Sequence, residues 1–410
     1  MSTRQTLGLI VLAAAALRLF HLAWHPLWLD EAHMVIVASL DGWLKVLEFV
    51  GDFEQHPPLY YLFIHAIYQY WASPFMLRLP SALFSIVSVA ALYALGRAVA
   101  SPRVGLWSAA MLAFCAYELP FAQEIRMYPM LMALLLATAI CFVRWTRGLG
   151  GRWLAAAVLA GLGAVYVDYR ALLVVAALAV YGLPFYRRRW RAVVAAAAVF
   201  TLGTLPALQM MQAQAEFGGW FVSRFFGAPD LPTVMRSISA MGVSAVLQFP
   251  VAWHEAIGIA LLGLIAAGIG GSPKRWEASL GLWVLLLGES VMVGYSVLRF
   301  HIFCVHHMIF VLPFVLLAVA QGVDVIWLRW RPVAGVLAVA WLAINGYAMA
   351  QWDFNPQANW QDFRAVAAWL QPQLVPGDVI VVVPAYMQYP FRYYYDGTIP
   401  VLGLQPGNFG

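Results

Sequence analysis

The chain is poor in charge. Only 10% of its 410 residues are Asp, Glu, Lys or Arg, while 63% are hydrophobic and the mean hydropathy is +0.77. Soluble proteins carry about 25% charged residues, so a water-exposed globule is excluded and an integral membrane protein is implied. Cysteine is scarce as well. Cys115, Cys141 and Cys304 lie in apolar stretches with no paired spacing, which leaves neither a disulfide framework nor a zinc motif. No glycine-rich phosphate loop occurs, so nucleotide binding has no support. Internal repeats, low-complexity tracts and coiled-coil heptads are also lacking. The net charge of +5 does not point to nucleic acid, because the cations fall in short loops between apolar segments, as a topology signal does.

What the chain has in quantity is apolar runs long enough to cross a bilayer, which takes about 20 residues. The reading is roughly 6–24, 79–99, 104–122, 128–145, 153–169, 171–186, 192–211, 253–271, 278–298, 302–322 and 333–351, about eleven spans. Arg4 precedes an apolar core with no small-x-small cleavage site, so the first run reads as an uncleaved helix. With the N-terminus inside, the clustered cations (Arg144, Arg147 and Arg152; Arg187, Arg188, Arg189 and Arg191; Lys274 and Arg275) all fall on the cytoplasmic side. Single cations such as Arg78, Arg126, Arg170 and Arg299 fall outside, as the positive-inside rule requires. Leu59 to Trp71 is apolar but too short to span, and reads as a juxtamembrane or re-entrant helix in a first outer loop, 25–78. The stretch 212–250 reads as a long outer loop containing Trp220, with a middle too polar to insert. After Trp352, NWQDFRAVAAWL (359–370) reads as an amphipathic helix, 376–378 as a turn and VIVVV (379–383) as a buried strand. The fold class is thus an all-α polytopic membrane protein, 1–351, with juxtamembrane helices in its first outer loop. A small outer α/β segment, 352–410, follows and is short for an independent domain.

Six acidic residues between Trp28 and Tyr61 stand out against this background. Carboxylates beside a membrane are costly unless paired or working. Asp30 and Glu31 suit either a cap at the start of a surface helix or a polar cleft. His56 precedes Pro57-Pro58, whose fixed φ suits a helix entry and would hold the imidazole at the mouth of that cleft. Arg126 and Tyr128, in FAQEIRMYPM, offer a forked donor suited to phosphate, or an ion pair with Glu124. Arg170 and Arg299 belong to the same outer set, and together these cations make a pocket for an anionic lipid headgroup. His306 and His307 are substrate-contact candidates. Adjacent helical side chains point about 100° apart and share one ion poorly, so a divalent metal is conceivable with Asp30 or Glu31 but unsupported. No cofactor is required.

Three features in order, Asp30-Glu31 in the first outer loop, His56-Pro57-Pro58-Leu59-Tyr60-Tyr61 closing it, and Arg126-x-Tyr128 after the third span, resemble the C-type glycosyltransferases. The branch is that of the protein O-mannosyltransferases and lipid A aminoarabinose transferases. The resemblance implies an inverting transferase that moves a sugar from a polyprenyl-phosphate donor to a lipid, glycan or protein acceptor. It implies Asp30 as catalytic acid residue with Glu31 its companion, and Arg126, Tyr128 and Tyr60 near the donor phosphate. His56, Arg78, Arg170 and Arg299 complete the expected phosphate set, with His306, His307 and Trp220 as substrate contacts. Gln55-His56 stands where the aminoarabinose transferases have Glu-Lys, which argues against that activity. His306-His307 stands where the family often has Arg-Tyr. The implied location is a bacterial inner membrane with the site facing the periplasm. A transporter of lipid-linked anions and a lipid-linked glycan polymerase or ligase are the alternatives; matching broken helices in two halves, expected of the first, do not occur.

Overall fold

The computed structural model describes residues 1–187, 189–222, 227–244, 250–355 and 361–404, the side chains of 216–222 excepted. Among them the chain is almost wholly helical. Helix α1 (Thr3–Leu19) starts on a capping box, with the Ser2 hydroxyl accepting from the Gln5 N–H. Three short helices follow, α2 (Leu29–Ala38), α3 (Trp43–Phe53) and α4 (Leu59–Tyr68), none long enough to span. The main bundle contains α5 (Pro74–Val99), α6 (Pro102–Ala113), α7 (Leu119–Ala122), α8 (Tyr128–Thr146), α9 (Gly151–Val167), α10 (Ala171–Tyr186) and α11 (Trp190–Val222). It continues with α12 (Leu231–Val243), α13 (Val251–Gly271), α14 (Arg275–Ala278), α15 (Leu280–Leu298), α16 (Leu312–Arg329) and α17 (Arg331–Phe354).

Seven of these helices, α5, α8, α11, α13, α15, α16 and α17, are long and apolar enough to cross a membrane. The other four expected spans coincide with α1, α6, α9 and α10, which hold 17, 12, 17 and 16 residues. The run expected as one helix over 104–122 is broken. Helix α6 ends at Ala113, and α7 restarts at Leu119 beside Pro120, which has no N–H to continue a ladder. Buried side chains take up the freed backbone groups. The Arg18 guanidinium donates to the Ala113 and Leu112 carbonyls at 2.8 Å each and pairs with Glu118 at 2.8 Å. Asn345, from α17, accepts from the Ala116 N–H at 2.9 Å and donates to the Gly242 carbonyl at 3.0 Å. Irregular backbone inside an apolar bundle is tolerable only with such partners.

The expected loop over 212–250 is also largely helix. Helix α11 runs on to Val222, and α12 has every residue from Ser237 to Val243 buried. Its polar groups find partners inside the bundle. The Ser237 hydroxyl donates to Glu289 at 2.9 Å, and Ser239 bonds His254 at 2.8 Å. Trp220 lies outside the described side chains. Helix α16 is the axis of the molecule, buried without interruption from Leu312 to Asp324. Where it crosses α13, a Cβ on Gly322 would stand 2.1 Å from the Leu264 carbonyl oxygen, so only glycine permits this approach.

Beyond α17 lies a small α/β unit: α18 (Phe363–Leu370), β1 (Ile380–Val382), α19 (Gln388–Tyr394) and β2 (Val401–Gly403). The two strands pair in parallel, with Ile380 opposite Val401. They close a small core with Ala367 and Phe391. The unit is fastened to the loop that carries α2. The Leu27 N–H donates to the Tyr394 hydroxyl at 2.6 Å, and the Leu29 N–H donates to the Gln361 side chain at 2.9 Å.

Candidate active site

Asp30 and Glu31 are neighbours in the first turn of α2, and helical rotation of about 100° per residue sends them to different places. The Asp30 side chain is 35% exposed and stands 3.3 Å from the Arg126 guanidinium. Glu31 turns inward and is fully buried. Its two oxygens accept from Arg78 at 2.7 and 2.6 Å, and one also accepts from the Ile125 N–H at 2.9 Å. Arg78 spends its remaining donors on the carbonyls of Leu22, His25 and Pro26. Glu31 and Arg78, expected as a catalytic companion and a phosphate ligand, here form a buried clamp that fixes the entry to α2.

Arg126 sits in the turn before α8, where its N–H donates to the Glu124 carbonyl at 2.9 Å. Its guanidinium donates to the Tyr128 hydroxyl at 3.3 Å and lies 5.3 Å from that ring's centroid. Its Nε is buried without a protein partner. The guanidinium of Arg170 lies 5.6 Å from the same ring centroid, so two cations share one aromatic ring. Tyr60 supports this group from behind. It is fully buried, and its hydroxyl meets that of Ser81 at 3.1 Å, which in turn donates to the Arg126 carbonyl at 3.1 Å. Expected near the donor phosphate, it stands buried behind Arg126 and helps to position it.

Arg170 is held by the buried carboxylate of Asp168 and donates to the His307 carbonyl at 2.9 Å. Burial works against charge on Asp168, but the Arg170 guanidinium outweighs it and holds the carboxyl down to about 2. His56 reaches the same carboxylate at 3.8 Å. Burial lowers the imidazole to about 4 against the pull of Asp168, with Arg170 and Arg126 adding to the lowering, so His56 is neutral at pH 7. His306 and His307 occupy a 3-10 turn, Val305–Met308, and diverge. The His306 ring packs edge-on to Phe121 at 5.9 Å and feels the Asp30 charge, whereas His307 Nδ1 bonds the Ile302 carbonyl at 2.6 Å. Arg299 is exposed and stacks on Phe300 at 5.5 Å; among the described residues nothing joins it to the Arg126 group.

Sequence reasoning missed one group. His33, one turn beyond Asp30 on α2, forms a short contact with Glu54, which also accepts from the Tyr61 hydroxyl at 2.7 Å. Burial opposes charge on both, yet each holds the other ionised: His33 is raised and Glu54 lowered. The i, i+3 spacing of Asp30 and His33 was the available signal. Glu124, which the sequence offers as an ion-pair partner for Arg126, has its carboxyl pushed well up by burial and by Glu31. Among the described residues no three His, Cys, Asp or Glu side chains converge as metal ligands. Glu31, Glu54 and Asp168 are already taken by Arg78, His33 and Arg170.

Short helices folded into the first long loop of a helical bundle thus bring Asp30 to face Arg126. The chain's fold matches that of the oligosaccharyltransferase of Archaeoglobus fulgidus in complex with zinc and sulfate, with a TM-score of 0.53 at 11% identity. The match covers 97% of this chain and 62% of that one. The same enzyme with an inhibitory peptide and a dolichol-phosphate gives 0.50 at 12% identity over 98% of this chain and 64% of that one. ArnT of Cupriavidus metallidurans bound to undecaprenyl phosphate aligns over 98% of this chain and 86% of its own, with 15% identity and a TM-score of 0.49. No curated protein matches. Residues 55–210 match the family described as dolichyl-phosphate-mannose-protein mannosyltransferase.

Proposed function

We propose that this protein transfers a sugar from a polyprenyl-phosphate donor to an acceptor hydroxyl, with inversion at the anomeric carbon, at the periplasmic face of a bacterial inner membrane. The observation that carries the reading is the Asp30–Arg126 pair: a partly exposed carboxylate 3.3 Å from a guanidinium that also holds Tyr128. Asp30 takes the acceptor proton as the oxygen attacks the anomeric carbon. The bond from that carbon to the phosphate oxygen breaks on the opposite face. The departing group goes from phosphodiester to phosphomonoester and gains negative charge, which the Arg126 guanidinium and the Tyr128 hydroxyl are placed to stabilise. Arg170, fixed by Asp168, sets a second guanidinium against the shared ring. The dolichol-phosphate held by the archaeal enzyme of like fold supports a lipid-linked donor, and the clustered cations of the other face support the sidedness.

The test is turnover of a purified polyprenyl-phosphate sugar by the wild type and by Asp30→Asn. General-base assistance is worth about 10²–10⁴-fold, so the variant should fall by that factor with donor affinity retained or tightened, since Arg126 loses its competing carboxylate. Undiminished turnover would remove Asp30 from the role of base.

A further inference from the structure

Beyond the donor, the structure points to where the acceptor enters and what kind of molecule it is. Helix α19 of the C-terminal unit packs across α2, the helix that carries Asp30, and the Tyr394 hydroxyl fixes it there by accepting from the Leu27 N–H. Pro390 and Phe391 of α19 are buried. Tyr389 and Tyr393, one helical turn apart on its other face, are 36% and 37% exposed. The Tyr389 ring stands 5.8 Å from the ring of His33, at an interplanar angle of 60°. On α3, Phe49 lies 5.8 Å from the same imidazole. His33 is thus flanked by two aromatic rings, one turn along α2 from Asp30. Its Nε2 is engaged by Glu54, which leaves Nδ1 as the ring's other polar atom.

This flank sets one ion pair between two aromatic rings, where the other sets two guanidiniums on one tyrosine ring. Its charges, His33 and Glu54, cancel within their own contact. It offers flat apolar faces and a fixed imidazole, which suits a neutral polyhydroxylated ring. The C–H face of a sugar packs on an aromatic ring while its edge hydroxyls take hydrogen bonds. Resting on the assignment of Asp30 as base, we infer that the acceptor is itself a sugar, seated against Tyr389 and over His33 with one hydroxyl directed at Asp30. The reaction then joins the acceptor oxygen to the donor's anomeric carbon. The proton passes to Asp30, and polyprenyl phosphate leaves. Tyr389 is an acceptor-specificity residue supplied by the C-terminal unit.

The experiment uses the full chain in detergent with a purified polyprenyl-phosphate sugar, and octyl β-glucoside or a serine-containing hexapeptide as acceptor probe. Wild type should glycosylate octyl glucoside in preference to the peptide. Tyr389→Ala should raise the KM for octyl glucoside roughly 3- to 10-fold, the scale of one aromatic packing contact, with the donor KM unmoved. Tyr389→Phe and Tyr389→Trp, which keep a ring, should stay within about 2-fold of wild type. A purely structural role for Tyr389 would move donor and acceptor KM together, and that result overturns the inference. So does preference for the peptide, hydrolysis of the donor without transfer to the glycoside, or an unchanged acceptor KM in Tyr389→Ala. Wild type that neither transfers nor hydrolyses the donor fails the glycosyltransferase reading itself, a result distinct from any of these.

Discussion

Two adjacent carboxylates, Asp30 and Glu31, should respond to the same conservative change in opposite ways. In Glu31→Gln the amide keeps the shape of the carboxylate and one oxygen for the Ile125 N–H, but Arg78 loses its countercharge. That guanidinium is almost fully buried and has only the Leu22, His25 and Pro26 carbonyls left. Removing one partner of a buried ion pair costs about 3–5 kcal/mol, because the other charge stays desolvated. Asp30 and Arg126 are less secluded, and a pair with one partner a third exposed contributes about 0–1 kcal/mol. Scanning fluorimetry on purified protein should therefore show Glu31→Gln melting well below wild type and Asp30→Asn melting with it. Turnover should show the reverse order per folded molecule, Asp30→Asn losing about 10²–10⁴-fold and Glu31→Gln far less. A Glu31→Gln protein that melts like wild type yet is inactive would refute the division of labour. An Asp30→Asn protein as destabilised as Glu31→Gln would refute it too.

Arg126→Lys should raise the donor KM about tenfold or more, since an ammonium cannot present a fork to phosphate while lying along Tyr128; donor titration at fixed acceptor checks it. The His33–Glu54 contact gives stability a pH window. His33 is raised above its ordinary 6.5, so its contribution is complete below that value and is lost as pH climbs through the raised one. Glu54 is lowered below 4.5, so its contribution is present above that value and is lost as pH falls through the depressed one. Melting midpoints should decline on the alkaline side in wild type, and Glu54→Gln should flatten that decline. Asn345→Leu strands the Ala116 N–H and the Gly242 carbonyl in the bundle; at about 1–3 kcal/mol for each unsatisfied group, it should lower the melting midpoint sharply with no selective change in KM.

The positions of the helices were legible from apolar length, because a bilayer-sized run has few other uses. Their interruptions were less so. The break after Ala113 depends on Arg18 and Asn345, which lie far away in sequence, and α12 reads as a polar loop until Glu289 and His254 are seen to satisfy its serines. The arginines show the same limit. Arg170 has its partner two residues back at Asp168, within reach of a sequence reading, but Arg78 finds Glu31 across 47 positions. Nothing local separates a guanidinium held in a clamp from one turned toward a cleft. Arg126 was legible because Tyr128 beside it forms part of its surroundings, whereas His33, one turn from Asp30, became visible only when α3 and α4 brought Glu54 and Tyr61 to it.

The pairing of cations around the cleft has a consequence for how an anion is taken in. Arg126 faces Asp30, Arg170 faces Asp168, Arg78 faces Glu31 and His33 faces Glu54. With each of these charges matched at rest, the cleft is close to electrically neutral and exerts little long-range pull on passing phosphate or counterions. A phosphate that reaches Arg126 does not fill a vacant charge; it competes with Asp30 for one already engaged. Its affinity is then the difference between two ion pairs rather than the strength of one, which keeps the cleft selective for ligands that bring binding energy from elsewhere, such as a lipid chain embedded in the bilayer.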